Sequence, residues 1–261
     1  MSEGAVKSAS GGERATLRIW RGDEKAGEFK EYEVETYPGM VVLDAVHDVQ
    51  AQYSPDLAVR WNCKAGRCGS CSAEVNGKPK LMCMTRMSHF EPGQPITVTP
   101  MKTFPLLKDL VTDVSHNFRV AKKIPPFKPR PRDADGTWRM QQIDIDRIQE
   151  FRKCIECFLC QDVCHVLRDH DKREAFAGPR FMIHLANLDM HPLDTVDRRP
   201  MMKEEFGIGF CNITKCCTEV CPEHIAITDN GIIPLKERVV DRYYDPVLML
   251  WRKLTGKEER T

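Results

Sequence analysis

The cysteines constrain this chain of 261 residues more than any other feature, because eleven of the twelve fall into three regularly spaced blocks. The first block has the spacing C-x4-C-x2-C-x11-C and consists of Cys63, Cys68, Cys71 and Cys83. The second has the spacing C-x2-C-x2-C-x3-C and consists of Cys154, Cys157, Cys160 and Cys164. The third follows the second with one position changed and consists of Cys211, Cys217 and Cys221. Spacings of this kind hold iron–sulfur clusters, so the sequence predicts three clusters and a role in electron transfer.

The first block has the spacing of a plant-type 2Fe–2S site, in which a distant fourth cysteine joins three on one tight loop. Gly66 and Gly69 in this loop accept backbone angles that other residues avoid, and they let amide N–H groups approach the sulfur atoms. Lys64 and Arg67 add positive charge beside an anionic cluster. A zinc site is the alternative, but zinc usually takes two ligands from each of two separated knuckles. We therefore predict a 2Fe–2S cluster.

The second and third blocks share one register. Cysteine occupies every matching position except Thr214, and Pro222 follows Cys221 as in bacterial ferredoxins. In those ferredoxins the fourth cysteine of each run binds the other cluster. Crossing the fourth cysteines assigns a 4Fe–4S cluster to Cys154, Cys157, Cys160 and Cys221. The remaining thiolates form the third site, which consists of Cys164, Cys211 and Cys217.

This third site lacks a fourth thiolate. The hydroxyl of Thr214 is a much poorer iron ligand than a thiolate, and a cube with an unligated corner loses that iron, so we predict a 3Fe–4S cluster. A 4Fe–4S cluster with a non-cysteine ligand is the alternative. Cys216 lies outside the shared register, and we expect a small apolar side chain beside the cluster. Transfer of the ligand role from Cys217 to Cys216 is the other possibility.

Composition excludes several classes of protein. The chain is 41% apolar and 30% charged, as globular proteins are, and its net charge of +1 creates no general attraction for nucleic acid. Clustered cysteines that bind metal must stay reduced, which predicts a cytoplasmic location. Residues 1–14 are small and polar, unlike a signal peptide. No run of about 18 apolar residues is present, so we expect no membrane span.

Hydrophobic periodicity predicts an α+β chain in four segments. These are a flexible N-terminus at 1–14, a mixed α/β domain at 15–118, a proline-rich linker at 119–139 and a helical domain at 140–261. Asn76-Gly77 predicts a hairpin that places Cys83 on the returning strand. The apolar spacing from Phe104 to Phe118 predicts a helix that closes the first domain.

The C-terminal segment combines aromatic and apolar residues with Arg252 and Lys253. It is too short to span a membrane. Contact with a membrane surface or a partner subunit is one interpretation, and a terminal helix packed on its own domain is the other.

The three blocks, in this order and spacing, resemble the iron–sulfur subunit of succinate dehydrogenase and quinol:fumarate reductase, over almost the whole chain. The resemblance implies a 2Fe–2S ferredoxin-like β-grasp domain followed by an all-helical bacterial-ferredoxin-type domain that holds 4Fe–4S and 3Fe–4S clusters. It also implies a flavoprotein subunit with covalent FAD, hydrophobic membrane-anchor subunits and a membrane quinone. The chain would lie peripherally on the cytoplasmic face of the cell membrane and pass electrons from FAD through the three clusters to quinone.

The chain departs from this family at the quinone end. Many members have proline where His165 stands, and members that reduce ubiquinone usually have histidine where Asn212 stands and a tryptophan in the stretch that follows His165. Menaquinone is therefore the expected quinone. A different binding place, or transfer through another centre in the anchor, is the alternative. His165, Asp169 and His170 are the polar candidates there, and histidine can relay protons near neutral pH. The alternative is a histidine that only hydrogen-bonds a sulfide or a backbone carbonyl.

The favoured function is therefore the electron-transfer subunit of succinate dehydrogenase, in the tricarboxylic acid cycle and the respiratory chain. No G-x-G-x-x-G fingerprint and no nucleophile–base pair is evident, so succinate oxidation would belong to the partner subunit. The same subunit of a menaquinol:fumarate reductase, which runs in the opposite direction, is the second hypothesis. A zinc-stabilised interaction module is a distant third, and zinc proteins lack the brown colour of iron–sulfur proteins.

Overall fold

A computed structural model describes residues 13–255 and contains a sheet-based N-terminal part and a helical C-terminal part. Five strands form the main sheet, and they are β1 (Arg14–Gly22), β2 (Gly27–Glu35), β3 (Ser72–Val75), β4 (Lys78–Leu81) and β5 (Ile96–Thr99). Their order is β2-β1-β5-β3-β4, and only the β1–β5 pair is parallel. Helix α1 (Val42–Gln52) covers one face of this sheet.

The core of this first part lies between α1 and the sheet. Leu17 and Ile19 of β1 and Val98 of β5 are fully buried, as are Val42 and Val46 on one face of α1. The buried residues alternate along the strand and recur at helical spacing in α1. Each element therefore has one buried face, and the two faces pack against each other. The predicted mixed α/β organisation follows from this pattern.

The hairpin around Asn76-Gly77 forms as predicted. Both residues have positive φ, 48° and 73°, which suits the two-residue turn between β3 and β4. Cys83 does not lie on the returning strand, because β4 ends at Leu81 and residues Met82–Met84 form a short 3-10 turn. The turn still directs the Cys83 sulfur toward the cysteine loop.

The predicted helix from Phe104 to Phe118 is wrong. The chain forms two short strands, β6 (Leu106–Lys108) and β7 (Val111–Thr112), before helix α2 (Ser115–Lys123) begins. The cause is Asp109, which has φ 50° and a buried carboxylate that accepts hydrogen bonds from the Gly22 and Ala58 amides at 2.9 and 2.8 Å. These distant partners hold a turn where the local spacing favoured a helix.

The proline-rich segment lies along the helical part of the chain. Helix α2 crosses the boundary predicted at residue 118, and the chain then pairs with residues 193–195 through Arg130 N–H to the Leu193 carbonyl at 2.7 Å and Thr195 N–H to the Lys128 carbonyl at 2.8 Å. The buried Arg198 guanidinium donates to the carbonyls of Pro125 and Pro126, each at 2.9 Å. These contacts hold the segment against the helices that follow it.

The C-terminal part is helical. Its helices are α3 (Gln142–Gln149), α4 (Leu159–Asp162), α5 (His165–Arg168), α6 (Pro179–Asp189), α7 (Arg199–Glu204), α8 (Cys216–Glu219), α9 (Ile233–Tyr243) and α10 (Pro246–Thr255). A π-helical turn at Ile227–Ile232 leads into α9. Phe181 and Leu185 of α6 are buried against Leu235 of α9 and Ile148 of α3, so α6 forms the centre of this core.

Helix α10 extends from α9 and leaves its apolar side chains uncovered. None of its ten residues is buried, and Val247 and Leu254 are 73% and 78% exposed. Arg252 ties it to α9 by donating to the carbonyls of Arg242 and Asp241. Within residues 13–255, every helix is too short or too polar to cross a bilayer. The predicted flexible N-terminus lies mostly outside the described residues.

Candidate iron–sulfur sites

The first cysteine block forms a compact loop whose backbone amides point at sulfur. Arg67 N–H donates to the Cys63 sulfur at 3.2 Å, and Gly66 N–H donates to the Cys83 sulfur at 3.3 Å. Gly66 has φ 66°, a conformation that favours glycine. Amide donors of this kind stabilise thiolates and the cluster they bind. The arrangement fits a 2Fe–2S cluster held by the four predicted cysteines.

The thiols of this loop ionise unequally. Burial opposes ionisation of Cys68, but hydrogen bonds from Ser70 and Cys63 outweigh it and lower the Cys68 pKa to about 6. Burial raises the pKa of Cys71 to about 12, and the neighbouring Cys83 adds to the rise. Cys68 is therefore a thiolate near neutral pH, while Cys71 must lose its proton when metal binds.

The second predicted ligand set lines one cavity in the helical part. Cys154, Cys157 and Cys160 lie on it together with Cys221, which is the crossed fourth cysteine. Burial raises the pKa of Cys157 to about 12, and the nearby Cys154 and Cys221 thiols add to the rise. The remaining wall is largely apolar and includes Ile155, Phe158, Ile183, Ile225 and Ile227. Four sulfur atoms in an apolar shell fit a 4Fe–4S cluster, which tolerates little water.

The third set gathers around the start of α8. Burial raises the pKa of Cys164 to about 12, and the neighbouring Cys216 and Cys217 thiols add to the rise. Burial also raises the pKa of Cys217 to about 11, and its neighbours are Cys216 and Cys211. The Thr214 hydroxyl lies 3.3 Å from the Cys216 sulfur. Cys164 thus lies with the third block, as the crossed assignment expects. Cys216 is half-buried beside these thiols and influences both Cys164 and Cys217.

Across the part of the chain that the structure describes, no three cysteine, histidine or acidic side chains converge on one ion position.

The first two cysteine loops touch each other. A Cβ atom on Gly69 would lie 2.5 Å from the Cys157 Cα, so only glycine permits this approach. Next to it, the Ser72 hydroxyl donates to the Cys157 carbonyl at 2.9 Å. Gly69 lies between two predicted 2Fe–2S ligands and Cys157 is a predicted 4Fe–4S ligand, so the two sites are neighbours across the domain boundary.

A buried charge cluster, which the sequence did not reveal, reinforces this boundary. Glu74 of β3 is fully buried and pairs with Arg168 at 2.8 Å and with Lys102 at 3.3 Å. Burial, aided by Glu74, raises the pKa of Asp162 to about 7, and the Asp162 carboxylate accepts the Thr103 N–H at 3.0 Å. The one sequence signal was an acidic residue in a strand of small and apolar residues, Ser72-Ala73-Glu74-Val75.

The residues predicted for the quinone end lie together at α5. The rings of His165 and His170 are 6.1 Å apart, and Asp169 N–H donates to the His165 carbonyl. The Nε2 atom of His165 is buried and has no hydrogen-bond partner among the described residues. His165 directly follows Cys164, which places it beside the third set of sulfur atoms.

Comparisons with known proteins agree with this arrangement. Residues 16–119 match the model of a 2Fe-2S iron-sulfur cluster binding domain, and residues 150–225 match the model of a 4Fe-4S dicluster domain. A solved chain of the Mycobacterium smegmatis Sdh1 complex in the apo form superposes with a TM-score of 0.87 at 63% identity, and the alignment covers 91% of this chain and 100% of that one.

Curated relatives point to the same group. The fumarate reductase iron-sulfur subunit of Mycobacterium tuberculosis (strain CDC 1551 / Oshkosh) is 33% identical over 211 residues, which are 77% of this chain and 82% of the relative. The fumarate reductase iron-sulfur subunit of Wolinella succinogenes is 28% identical over 240 residues, which are 88% of this chain and 98% of the relative. The predicted fold class and the presence of 2Fe–2S and 4Fe–4S domains are confirmed. The chain belongs to the family of iron–sulfur subunits of succinate dehydrogenases and fumarate reductases.

Proposed function

We propose that this chain passes electrons from the FAD of a flavoprotein subunit, through 2Fe–2S, 4Fe–4S and 3Fe–4S clusters in that order, to a membrane quinone as part of a succinate dehydrogenase. The observation that carries the proposal is the contact between Gly69 and Cys157, which brings the first two predicted sites together. The proximity of the Cys164 and Cys217 thiols supports a third site built from both later cysteine blocks. A chain of adjacent one-electron centres needs no substrate site of its own.

The proposed ligands follow the crossed assignment. Four cysteines hold the 2Fe–2S cluster, namely Cys63, Cys68, Cys71 and Cys83. Four hold the 4Fe–4S cluster, namely Cys154, Cys157, Cys160 and Cys221. Three hold the 3Fe–4S cluster, namely Cys164, Cys211 and Cys217. The cavity that Cys221 shares with Cys154 supports the crossing, and the hydroxyl at Thr214 supports the missing corner.

Low-temperature electron paramagnetic resonance tests this assignment on anaerobically purified protein. An oxidised 3Fe–4S cluster is paramagnetic, whereas oxidised 2Fe–2S and 4Fe–4S clusters become so on reduction. We expect a near-isotropic signal as isolated and two further signals after dithionite. If no signal is present before reduction and two 4Fe–4S signals appear after it, the third cluster is a 4Fe–4S cluster with a non-cysteine ligand.

The proposed partners are a flavoprotein subunit and hydrophobic membrane-anchor subunits, with the chain held peripherally on the cytoplasmic face of the cell membrane. The name of the Sdh1 complex supports an assembly of this type. The uncovered apolar residues of α10 support contact with an anchor or a lipid surface. Truncation after Pro246 should release the chain from membranes, and unchanged sedimentation would contradict this role.

The proposed quinone end lies at His165, Asp169 and His170, with menaquinone as the quinone. The buried and unpartnered Nε2 of His165 supports a hydrogen-bonding role toward a group outside the described chain. His165→Ala should slow quinone reduction and change its inhibitor sensitivity. If both are intact, His165 is not a proton relay.

The second candidate is the same subunit of a menaquinol:fumarate reductase. The names of the Mycobacterium tuberculosis and Wolinella succinogenes relatives favour it, whereas the 63% identity to a chain of an Sdh1 complex favours succinate oxidation. The purified complex decides between them. Faster succinate oxidation with a menaquinone analogue supports the first candidate, and faster fumarate reduction with the menaquinol supports the second.

A further inference from the structure

Two charged side chains, Arg180 and Glu223, line the cavity of the second ligand set, and the function described so far uses neither. Arg180 lies on the same cavity wall as Cys154, Cys157, Cys160 and Cys221. It is 8% exposed, in a wall that is otherwise mostly apolar. A buried guanidinium at such a place needs a compensating partner, since burial of an unpaired charge is costly.

Only part of that guanidinium is paired. Its Nη2 atom donates to Glu156 at 2.5 Å. Its Nε atom is buried and has no acceptor among the residues that the structure describes. Buried side-chain donors are rarely left without a partner. The unpaired Nε–H therefore indicates an acceptor that belongs to a group bound in the cavity.

The side chain is held in place from two directions. Arg180 is the second residue of α6, and Gln161 of the ligand helix α4 bridges the start of α6 by accepting Arg180 N–H at 3.4 Å and donating to the Ala177 carbonyl at 3.0 Å. Gly178 permits this closeness, because a Cβ atom there would lie 2.0 Å from the Gln161 Oε1. Arg180 and Ile183, both near the start of α6, line the same cavity.

Glu156 does not cancel the charge at the cavity. It lies between Cys154 and Cys157 with φ 58°, and its side chain is 53% exposed while that of Arg180 is 9% exposed. The carboxylate is therefore screened by water, and the guanidinium is not. Glu223, the other charged residue of the wall, has a side chain that is 17% exposed and lies 3.5 Å from Arg67. Arg180 therefore brings a buried cation to the cavity, with one N–H donor that has no acceptor among the described residues.

We propose that Arg180 donates its Nε–H to a sulfur atom of the 4Fe–4S cluster and raises the reduction potential of that cluster. The proposal rests on the ligand assignment given under Proposed function. Reduction adds negative charge to the cluster, so a buried cation and a hydrogen bond to sulfur stabilise the reduced form more than the oxidised form. The family resemblance and the cysteine spacing assign no such residue.

Redox titration of the cluster signals by electron paramagnetic resonance tests the proposal on the full chain in its complex. Arg180→Gln should shift the one-electron equilibrium of the 4Fe–4S cluster about tenfold toward the oxidised form, which is about 59 mV more negative. The 2Fe–2S potential should stay unchanged and serves as the internal standard. Arg130→Gln, which removes a half-buried arginine paired with Asp133 outside the cavity lining, is the matched control and should shift neither potential.

Glu156→Gln provides a second variant with the opposite sign, in case Arg180→Gln prevents cluster assembly. It removes the counter-charge and keeps the guanidinium, so the potential of the 4Fe–4S cluster should become more positive. The shift should be smaller than that of Arg180→Gln, because Glu156 is half exposed. An unchanged or more negative potential in this variant contradicts the proposal.

A direct measurement distinguishes the role of Arg180 from the ligand assignment on which that role rests. Pulsed electron paramagnetic resonance on protein with ¹⁵N-labelled arginine should show one nitrogen coupled to the reduced 4Fe–4S cluster, and Arg180→Gln should remove it. Normal cluster signals without this coupling, and with an unshifted potential, overturn the role of Arg180 alone. The absence of any 4Fe–4S signal in the unmodified protein instead overturns the ligand assignment.

Discussion

The ion pair between Glu74 and Arg168 should hold the two domains together, and Arg168→Gln tests this. Glu74 is fully buried on β3, while the Arg168 side chain is 22% exposed on α5 and lies 2.8 Å away. Breaking a buried pair by removing one partner costs about 3–5 kcal/mol, because the other charge stays buried. Lys102 still lies 3.3 Å from Glu74, so we expect the lower end, about 3 kcal/mol.

Hydrogen exchange at the domain boundary measures this loss. Thr103 N–H donates to Asp162 across the boundary, so its exchange reports local opening. A loss of about 3 kcal/mol raises the opening constant about 100-fold. Arg173→Gln removes the partner of the exposed Asp171. It should change exchange by less than about fivefold, since surface pairs contribute about 0–1 kcal/mol.

A double-mutant cycle gives the refuting result. The double variant Glu74→Gln, Arg168→Gln leaves neither charge of the pair buried without its partner. It should therefore recover most of the protection from hydrogen exchange that Arg168→Gln loses. If the two single effects simply add, Glu74 and Arg168 do not stabilise the boundary as a pair, and the reasoning from burial fails.

Three further predictions concern the contacts described above. Gly69→Ala should weaken the magnetic coupling between the reduced 2Fe–2S and 4Fe–4S signals, because the new Cβ meets Cys157 and residue 69 has φ 66°; unchanged coupling would show that the loops do not need this approach. Asp162 has a raised pKa of about 7, so its contribution to stability is present at low pH and is lost between about pH 4 and 7. Asp162→Asn should therefore gain in melting temperature relative to the unmodified protein as pH rises from 5 to 8, and parallel curves would contradict this. Thr214→Cys should supply the missing thiolate and abolish the near-isotropic oxidised signal, whereas Cys216→Ser should keep it.

Local sequence patterns predicted the parts of this molecule whose geometry is set locally. The Asn76-Gly77 turn needs only two residues with positive φ, and both are present. The cysteine spacing within each block likewise defines a loop of limited reach. The family resemblance added the order of the domains, which the domain matches confirm.

Distant contacts explain what the sequence did not predict. Asp109 forms a turn because the amides of Gly22 and Ala58 lie against it, and no periodicity near Phe104 carries that information. Arg180 is separated by 24 residues from its partner Glu156, and its place on the cavity wall depends on how α6 packs. Spacing identifies candidate ligands, whereas the residues that contact or join the candidate sites depend on the tertiary fold.

The proposed division of the two later cysteine blocks between two sites predicts that their assembly is interdependent. Cys164 ends the second block but lies with Cys217, while Cys221 ends the third block but lines the cavity of Cys154. Neither site is complete until both segments are in place, whereas the first block is complete within residues 63–83. Cys221→Ser should therefore reduce the signals of both later clusters and leave the 2Fe–2S signal at full intensity per chain. A variant that loses only the 4Fe–4S signal would mean that the third site forms independently, and the crossing would then not couple their assembly.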